Sequence, residues 1–530
     1  TDADVVFSNH IANVQLTNAE SLGACLLKSY ISAHRAERPS ISPQEWLSSA
    51  YRPTLTIVEA AERLYENHDV REISHSYAEN LGKTTDMLKA AIVDAKTKEK
   101  HVICFVTGVP GAGKTLTGLN VVHDPSIRSR RGPSGIFLSG NGPLVKIIRE
   151  ALIRNQRKKG QRRQDVEHEV STFIQNVHTF LRYHRDNPSA LPHEHVVVFD
   201  EAQRAWNRRH MKRKRGIDIS EPSQLLEVME RLPDWAVIVA LVGGGQEIFL
   251  GEAGLEEWGN ALLETKKKWS IVASPEVLAG GASVAGHRLF RDGVPPRVDF
   301  KAEPLAHLKV SVRSHRAQFI AEWVNDLLSP DAAQAFTKFP GGEEFPIVMT
   351  RSLDTARTWL RRRSQGDPFK RCGLVTTSED QRLRAYGLEN SSAFRIDYPF
   401  EKWFLEGPDD VRSSFALEVS ATEFECQGLE LDWVGVCWGG DLVPNENGDG
   451  WEYRKFRGTR WQRCRSEEER SYIRNRYRVL LTRARSGMIV WVPEGDPYDP
   501  TRDPGRFDRV CRHLRAAGVP LIASDRVCVS

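Results

Sequence analysis

Apolar residues along this chain fall into short continuous runs that are separated by amphipathic stretches. In the first half, these runs predict buried strands around residues 102–107, 135–139, 196–200 and 237–242. The stretches between the runs place apolar residues at helical spacing, as in LVKIIREAL after the second run. Strands that alternate with helices in this way predict a doubly wound parallel sheet.

The second half of the chain repeats the alternation. LKVSVRSHRAQFIAEWVNDLL (308–328) predicts a strand that leads into a helix. Further stretches predict strands in FPIVMT, CGLVTTS, SFALEVSATEF, WVGVCWG and GMIVWVP, and helices in DTARTWLRRRS and EERSYIRNRYRVLLTRAR. No second phosphate-binding loop occurs here. The pattern therefore predicts a second α/β sheet of similar size, served by the nucleotide site of the first.

The N-terminal segment is predicted to be mostly helical. SLGACLLKSYISAH and TIVEAAERLYENH place apolar residues three and four apart, and SISPQEWLSSAYRPT between them predicts a loop. The predicted organisation is a helical segment (1–95), a first lobe (96–305) and a second lobe (306–530). The chain begins at Thr1 rather than Met, which leaves room for an upstream domain.

A phosphate-binding loop follows the first predicted strand. GVPGAGKT (108–115) fills every fixed position of the pattern G-x-x-x-x-G-K-S/T. Its glycines let the backbone N–H groups point at phosphate oxygens, and the following helix directs its positive end at the same anion. Lys114 is expected to reach the terminal phosphates and Thr115 to hold Mg²⁺. The residues predicted to contact the nucleotide here are Gly108, Val109, Pro110, Gly111, Ala112, Gly113, Lys114 and Thr115.

Two further strand ends carry candidate chemistry. HVVVFDEAQRAW (195–206) delivers Asp200 to the end of a buried strand, where it can hold Mg²⁺ through water. Glu201 follows it and can orient or deprotonate the attacking water. GGGQ follows the next strand, and Gln246 is expected to sense the γ-phosphate. These residues complete a predicted catalytic set for phosphoryl transfer.

Nucleic-acid binding has to be argued from local patches, because the formal net charge is only +4. Residues 204–215 contain seven Lys or Arg and no acid, with Trp206 and His210 among them. Arg208 and Arg209 are the predicted contacts in this stretch. A protein partner or a solvated charge run are the alternatives. The basic run at 154–164 predicts a solvated loop.

Composition narrows the class of protein. The chain of 530 residues is 40% hydrophobic and 27% charged, and no apolar run approaches the length of a membrane span. Its eight cysteines are scattered without a C-x-x-C pair, which argues against a zinc or iron–sulfur site. Unpaired thiols predict a reducing cytoplasm, and the lack of a long apolar run predicts no association with a membrane.

Taken together, the motifs over about residues 95–500 resemble those of superfamily 1 helicases. The chain is most similar to the Schlafen group 3-like DNA/RNA helicase domain family. The stretches that carry the resemblance are FVTGVPGAGKT, LSGNGPLVKIIREAL, VFDEAQRAW, GGGQEIFLGE, SVRSHRA, VRSSFALEVSATEFECQGLELDWVGVCW and YRVLLTRARSGMIVWVP. The resemblance implies two RecA-like P-loop NTPase lobes, with parallel sheets flanked by helices and ATP between the lobes.

The resemblance also implies roles for residues outside the phosphate loop. Arg313 in SVRS and Arg483 in LLTRAR match the arginines that reach the γ-phosphate from the second lobe. Gly428 and Glu430 in QGLELD match residues that approach the ribose and the nucleic acid. Three more positions match segments that touch the nucleic-acid backbone in relatives: Asn141, His178 in VHTFL, and Thr422.

The chain also departs from the superfamily pattern. Gly244 stands where many superfamily 1 helicases have the acid that takes part in coupling hydrolysis to strand movement. Only 32 residues separate Lys146 from His178 and only 109 separate Arg313 from Thr422, so large strand-separating subdomains fit poorly.

The expected activity is that of an ATP- and Mg²⁺-dependent DNA/RNA helicase or single-strand translocase. The alternative is a nucleotide-gated switch that controls a protein partner or an upstream nuclease-like effector in nucleic-acid defence. A nucleotide kinase fits the loop but not the other motifs, and a GTPase lacks its N-K-x-D motif. An Asp…Glu-x-Lys nuclease cluster is not apparent in the sequence either.

Overall fold

A computed structural model gives the architecture of the chain. It describes residues 4–5, 14–15, 23, 56–65, 80–109, 111–124, 135–243, 254–281, 284, 286–296, 298–309, 315–329, 332–342, 345–365 and 370–522. The N-terminal segment contributes a short antiparallel pair, β1 (Asp4–Val5) and β2 (Val14–Gln15), and two helices, α1 (Ile57–Tyr65) and α2 (Asn80–Thr97).

The first sheet is parallel throughout. Its strands are β3 (His101–Gly108), β4 (Gly135–Ser139), β5 (Ile174–Asn176), β6 (Val196–Asp200), β7 (Ala236–Leu241), β8 (Trp269–Ala273), β9 (Asp299–Ala302) and β10 (His307–Leu308). They lie in the order β5-β4-β6-β7-β3-β8-β9, and β10 pairs with the end of β3. The carboxyl ends of β3, β4, β6 and β7 therefore meet at one edge of the sheet, where α/β proteins bind ligands.

Helices cover both faces of this sheet. They are α3 (Lys114–His123), α4 (Gly142–Lys158), α5 (Arg163–Phe173), α6 (Val177–Asp186), α7 (Arg208–Arg215), α8 (Glu221–Met229), α9 (Gly254–Leu263) and α10 (Pro275–Ala279). Alternate residues of β3 enter two different cores. Cys104 packs in the core shared with α3 to α5, whereas Phe105 packs in the core shared with α6, α8 and α9. Burial on both faces explains why these strands are continuous apolar runs.

The second sheet is also parallel, in the order β11-β18-β14-β12-β13. Its strands are β11 (Ile347–Thr350), β12 (Cys372–Thr376), β13 (Ser420–Thr422), β14 (Leu431–Cys437) and β18 (Ala484–Trp491). The helices of this half are α11 (His315–Leu327), α12 (Ala332–Thr337), α13 (Leu353–Ser364), α14 (Ser392–Asp397), α15 (Phe400–Leu405), α16 (Glu423–Cys426), α17 (Glu467–Leu481) and α18 (Pro504–Ala516). Leu360 of α13 and Ile473 of α17 belong to different cores, so helices flank this sheet on both faces too.

A small antiparallel sheet stands beside the second parallel sheet. It consists of β15 (Leu442–Pro444), β16 (Trp451–Arg457) and β17 (Arg460–Arg463). The sequence pattern did not predict these strands, because β16 and β17 are rich in arginine and lack a buried apolar face.

The predicted fold class is confirmed: the molecule is α/β, with two parallel sheets flanked by helices. The four predicted strands of the first half match β3, β4, β6 and β7 to within one residue at each end. The predicted domain limits remain a prediction, and the pairing of β10 with β3 extends the first sheet to Leu308. The predicted helix at 21–34 lies outside the described residues apart from Gly23.

Two local predictions were wrong. SFALEVSATEF forms only the three-residue strand β13, because the Thr422 side chain caps the N-terminus of α16 and ends the strand. The basic run at 154–164 is mostly helical rather than a loop, since α4 continues to Lys158 and α5 begins at Arg163. Glu150 stabilises both helices by pairing with Arg154 at 3.0 Å and Arg163 at 2.8 Å.

Within the described ranges, no helix is both long enough and apolar enough to cross a bilayer.

Candidate nucleotide-binding site

The phosphate loop is a tight turn between β3 and α3. Gly111 and Gly113 have φ angles of 74° and 81°, a region that glycine adopts without strain. A Cβ atom at Gly108 would lie 2.7 Å from the Cβ of Leu308, so only glycine fits there. Leu308 also accepts a hydrogen bond from the Val109 N–H at 3.1 Å. Strand β10 thus supports the first turn of the loop. Pro110 lies outside the described residues.

Lys114 and Thr115 begin helix α3 directly after the loop. The Lys114 ammonium donates to the carbonyl oxygens of Gly108, at 2.9 Å, and Val109, at 3.4 Å. The amine therefore lies over the loop that it is predicted to serve. The Thr115 hydroxyl donates to both carboxylate oxygens of Asp200, at 3.2 and 3.1 Å. The structure therefore brings the two predicted magnesium ligands together, one from the start of α3 and one from the end of β6.

Asp200 is a buried acid at the end of β6, with 2% of its surface exposed. Burial, followed by the nearby carboxylate of Glu201, raises the pKa of Asp200 to about 7. The Thr115 hydroxyl and the charge of Lys114 act in the opposite direction. A hydroxyl and a carboxylate are oxygen ligands of the kind that Mg²⁺ takes in proteins. The residues present thus fit a magnesium ion.

Replacing Asp200 with asparagine is expected to stabilise the nucleotide-free protein at pH 8. An unfolded aspartate has a pKa of about 3.9. The raised pKa in the fold means that stability from this group is present at low pH and is lost as the pH rises through about 7. Asp200→Asn should therefore raise the melting temperature by roughly 2–6 °C at pH 8 and much less at pH 5. Thermal unfolding at both pH values measures the difference.

Asp218→Asn is the matched control for that measurement. Asp218 is an exposed acid whose pKa is lowered by hydrogen bonds from Lys212 and Arg208. Its carboxylate form is the favoured one in the fold, so the amide should not raise the melting temperature at pH 8. Equal shifts for Asp200→Asn at pH 5 and pH 8 would contradict the burial argument for Asp200.

Glu201 adopts an unusual backbone conformation next to Asp200. Its φ angle is 54° and its ψ angle is 46°, in the left-handed region that non-glycine residues rarely adopt. Such a conformation costs on the order of 1–3 kcal/mol and concentrates at functional sites. The Glu201 carboxylate accepts a hydrogen bond of 2.5 Å from the Gln203 amide, whose oxygen accepts from the Gly243 N–H at 2.9 Å. These two hydrogen bonds connect the strained residue Glu201 to the segment that follows β7.

Gln203 was missed as a site residue by sequence reasoning. It stands inside the quoted motif VFDEAQRAW, which is a local signal. Its partner Gly243 lies 40 residues further along, as the first glycine of GGGQ, and no pattern in the sequence links the two residues. Gly243 also lies close to the phosphate-loop lysine, since a Cβ atom there would be 3.3 Å from the Lys114 Cε. Gln246 and Gly244, which follow it, lie outside the described residues.

The two halves of the chain meet at residues 427–428, just after α16. The Asn141 amide donates to the Gln427 carbonyl at 2.8 Å, and the Arg204 guanidinium donates to the Gln427 side-chain oxygen at 2.5 Å. Gly428 has a φ angle of 81°, and a Cβ atom there would lie 3.1 Å from a methyl group of Leu144. This turn therefore contacts both the N-terminus of α4 and the segment that carries Asp200 and Glu201.

Arg483 and Glu430, two of the second-lobe candidates, make contacts within their own half of the chain. Arg483 is buried, and its guanidinium donates to the carbonyl oxygens of Leu429 and Val479 at 3.1 and 2.9 Å. Glu430 lies 3.8 Å from the guanidinium of Arg485. Arg313 lies outside the described residues. The roles assigned to these three residues therefore remain predictions.

Two of the predicted nucleic-acid contacts are buried at the ends of parallel strands. Asn141 follows β4, and its side chain also accepts from the Leu144 N–H at 3.3 Å. Thr422 ends β13, and its hydroxyl donates to Glu425 at 2.5 Å. In this structure both side chains serve as helix caps. Their role toward nucleic acid remains a prediction.

The other three predicted contacts are His178, which lies against Trp206, and two arginines of α7. The His178 ring is 4.6 Å from the Trp206 ring, and His178 pairs with the buried Glu221 at 2.6 Å. Arg208 and Arg209 are exposed on α7, whose His210 and Met211 are buried. The seven-cation stretch is thus largely a helix rather than an irregular loop.

The cysteines and the potential metal ligands of the described ranges also bear on the sequence predictions. Six cysteines lie within it, and all six are buried and unpaired. Burial raises the pKa of Cys104, Cys426 and Cys437 to about 12, so these thiols are unreactive core residues. A cluster of three or more His, Cys, Asp or Glu side chains suited to a metal ion does not occur within the described ranges.

Comparison with solved structures finds helicases. The DUF1998 helicase MrfA bound to DNA and AMPPNP shares 11% identity at a TM-score of 0.32, over 92% of this chain and 60% of that one. Dbp5 of S. cerevisiae bound to RNA and ADP BeF3 shares 12% identity at a TM-score of 0.26, over 84% and 94% of the two chains. The Hef helicase domain of Pyrococcus furiosus shares 12% identity at a TM-score of 0.26, over 77% and 96%. The chain thus spans about three fifths of the length of MrfA.

Sequence comparison identifies the family. No curated protein sequence matches the chain. The family described as Schlafen group 3, DNA/RNA helicase domain, matches residues 101–494, which is roughly three quarters of the chain and includes both parallel sheets. The chain therefore belongs to the Schlafen group 3 DNA/RNA helicase domain family.

Proposed function

We propose that this protein is an ATP-driven helicase or single-strand translocase that hydrolyses ATP between its two α/β lobes. The observation that carries the proposal is the joint at Gln427. It hydrogen-bonds both Asn141, at the end of β4, and Arg204, four residues after Asp200. The hydrogen bonds of Gln427 would therefore couple the hydrolytic site of the first lobe to the position of the second lobe. A motor requires such coupling.

Four side chains would act on the nucleotide. The loop N–H groups and Lys114 would bind the phosphates, and Thr115 with Asp200 would hold Mg²⁺. Bound Mg²⁺ would neutralise charge that develops on the phosphate oxygens. Glu201 would accept a proton from the attacking water, while Gln203 fixes the orientation of its carboxylate.

Residues outside this set would detect the γ-phosphate and add positive charge from the second lobe. Gln246 would report the presence of the γ-phosphate. Arg313 and Arg483 would bring positive charge to it from the second lobe, with Gly428 and Glu430 near the ribose. For Arg483 this requires that its guanidinium leave the carbonyl oxygens of Leu429 and Val479. The arginine step would therefore depend on a change in lobe position.

Nucleic acid would be held mainly through its backbone, which makes movement independent of base sequence. Asn141 and Thr422 stand at strand ends of the two lobes, His178 lies against Trp206, and Arg208 and Arg209 are exposed on α7. Single-stranded DNA or RNA is the proposed partner. The unpaired thiols favour a reducing cytoplasm as its location.

A nucleotide-gated switch is the second candidate. The joint at Gln427 would serve it equally well, because ATP binding beside Arg204 would reposition the second lobe. A protein partner or an upstream nuclease-like effector would then respond to the lobe position. In this case hydrolysis would be slow and would not depend on single strands.

ATPase rates measured with the full chain separate the two candidates. Single-stranded DNA, single-stranded RNA and the matching duplexes are each added at saturation. A helicase or translocase should show turnover raised about tenfold or more by at least one single strand, since strand contacts and the ATP site share the interlobe joint. Unchanged turnover with every strand would reject it in favour of the switch. A partner captured in the ATP state and released with ADP would then support the switch.

A further inference from the structure

A cavity of about 450 Å³ lies between the two lobes, next to the predicted nucleic-acid contacts. One wall is the first turn of α4, including Pro143 and Lys146. The opposite wall comes from the second lobe, where α14 to α16 contribute Arg395, Tyr398 and Phe424. Its volume falls within the range of pockets that bind small organic groups, about 300–1,000 Å³. The cavity is thus large enough for one nucleotide.

We propose that this cavity binds one unstacked nucleobase of a single-stranded nucleic acid. The inference rests on the proposed function and adds a site to it. Neither the sequence motifs nor the predicted contacts include Tyr398 or Phe400, which supply most of the aromatic wall.

The chemistry of the walls suits the faces of a base. Tyr398 presents an aromatic ring whose centroid lies 5.1 Å from those of Phe394 and Phe400. The Arg395 guanidinium lies over the Phe424 ring at 5.0 Å, which adds a flat cationic surface. Bases of single strands stack on aromatic rings and on arginine planes in this way. The walls therefore offer surfaces on which a base can stack, which a site for a metal ion or a phosphate group would not need.

Two features of the cavity lining indicate that it binds a ligand. Ile396 is an apolar residue of the lining with 76% of its surface exposed. The Arg395 Nε atom is buried and has no hydrogen-bond partner within the described ranges. The Nη1 atom of the same guanidinium donates to Glu425 at 3.0 Å and to Thr422 at 3.4 Å. A bound base would cover Ile396 and offer acceptors to the orphaned N–H.

The rim supplies charge for the rest of a nucleotide. Lys146 is exposed on α4 and faces the opening, where it can contact a phosphate of the strand. Glu401 lines the cavity from α15, and a carboxylate can accept from the exocyclic amine of a base. A base within a duplex is stacked and paired, so it cannot enter. The cavity would therefore favour single strands over duplexes.

Binding of short labelled single strands to the full chain tests the proposal. Fluorescence anisotropy is measured with a DNA and an RNA oligonucleotide, and with an abasic DNA of the same length that keeps only sugar and phosphate. The wild-type protein should bind the base-containing strands at least about fivefold more tightly than the abasic strand. Tyr398→Leu should lose about five- to a hundredfold in affinity for the base-containing strands and little for the abasic one.

Conservative variants guard against a merely structural effect. Tyr398→Phe keeps the ring and loses only the hydrogen bond to the Arg412 carbonyl, so its affinity should stay within about twofold of wild type. Ile396→Ala changes an exposed side chain and should weaken base-containing strands about threefold, because it removes apolar contact area. Val411→Ala, at a residue 74% exposed outside this lining, should change nothing.

The possible failures are distinguishable. Equal binding of abasic and base-containing strands, or wild-type affinity of both Tyr398→Leu and Ile396→Ala, would overturn the pocket. Strand-stimulated ATPase could still stand in that case. Absence of any binding and of any strand stimulation would overturn the proposed function and the pocket together.

Discussion

Replacing Lys114 with alanine is expected to lower ATPase turnover by at least about a hundredfold. Its amine lies over the phosphate loop, bonded to the Gly108 and Val109 carbonyl oxygens, and is the cation best placed to exchange these for phosphate oxygens. Without it, negative charge on the phosphates is opposed mainly by backbone N–H groups. Phosphate release at saturating ATP and Mg²⁺ measures the loss.

Lys98→Ala is the matched control for Lys114→Ala. Lys98 is an exposed lysine just past α2 that pairs with Asp94, away from the loop. It should leave turnover and melting temperature near wild type. A folded Lys114→Ala protein that retains wild-type turnover would show that GVPGAGKT is not the phosphate site of this protein.

The phosphate-loop half of the site was predictable because its signals are local. Buried parallel strands are continuous apolar runs, and the loop, its lysine and its threonine occupy eight consecutive residues after one such run. Asp200 ends another run, so the parallel sheet had to bring it to the same edge as Thr115.

The joint between the lobes was not predictable, because its contacts span large sequence separations. Gln427 meets Arg204 and Asn141 across 223 and 286 residues. No periodicity encodes such a pair. The motif QGLELD placed Gly428 near the ligand only by family resemblance, whereas the structure packs it against Leu144.

The direction of a side chain is also invisible in a sequence. LLTRAR marks Arg483 as a candidate finger, yet its guanidinium satisfies buried carbonyl oxygens of its own lobe. Similarly, the basic stretch predicted a charged surface but not that Asn207 would cap it into a helix. Such features depend on which side chain hydrogen-bonds to a helix end or to a buried carbonyl oxygen, and several neighbouring residues could do so.

These contacts form a chain from chemistry to lobe position. Glu201 is bonded to Gln203, Gln203 to Gly243, and the adjacent Arg204 to Gln427 of the second lobe. Movement of Gln427 would therefore act on the three-residue turn Ala202–Arg204 that follows the strained backbone of Glu201. This turn would couple movement of the second lobe to the orientation of Glu201, the proposed general base.

Replacing Glu201 with glutamine is expected to lower ATP turnover about 10²- to 10⁴-fold while ATP still binds. The amide keeps the size of the side chain and its oxygen can still accept from Gln203, but it cannot take a proton from water. Binding of a fluorescent ATP analogue, measured beside phosphate release, separates the two effects. Glu227→Gln, at an exposed glutamate of α8, is the control and should hydrolyse ATP at the wild-type rate.

A second readout of Glu201→Gln does not depend on activity. The Glu201 carboxylate helps to raise the pKa of Asp200, so removing its charge should lower that pKa and stabilise the nucleotide-free fold at pH 8. Lost turnover together with a raised melting temperature would place Glu201 beside Asp200 as the proton acceptor. Normal turnover in a folded Glu201→Gln protein would assign the proton to another group, and the strained backbone at residue 201 would then need a different explanation.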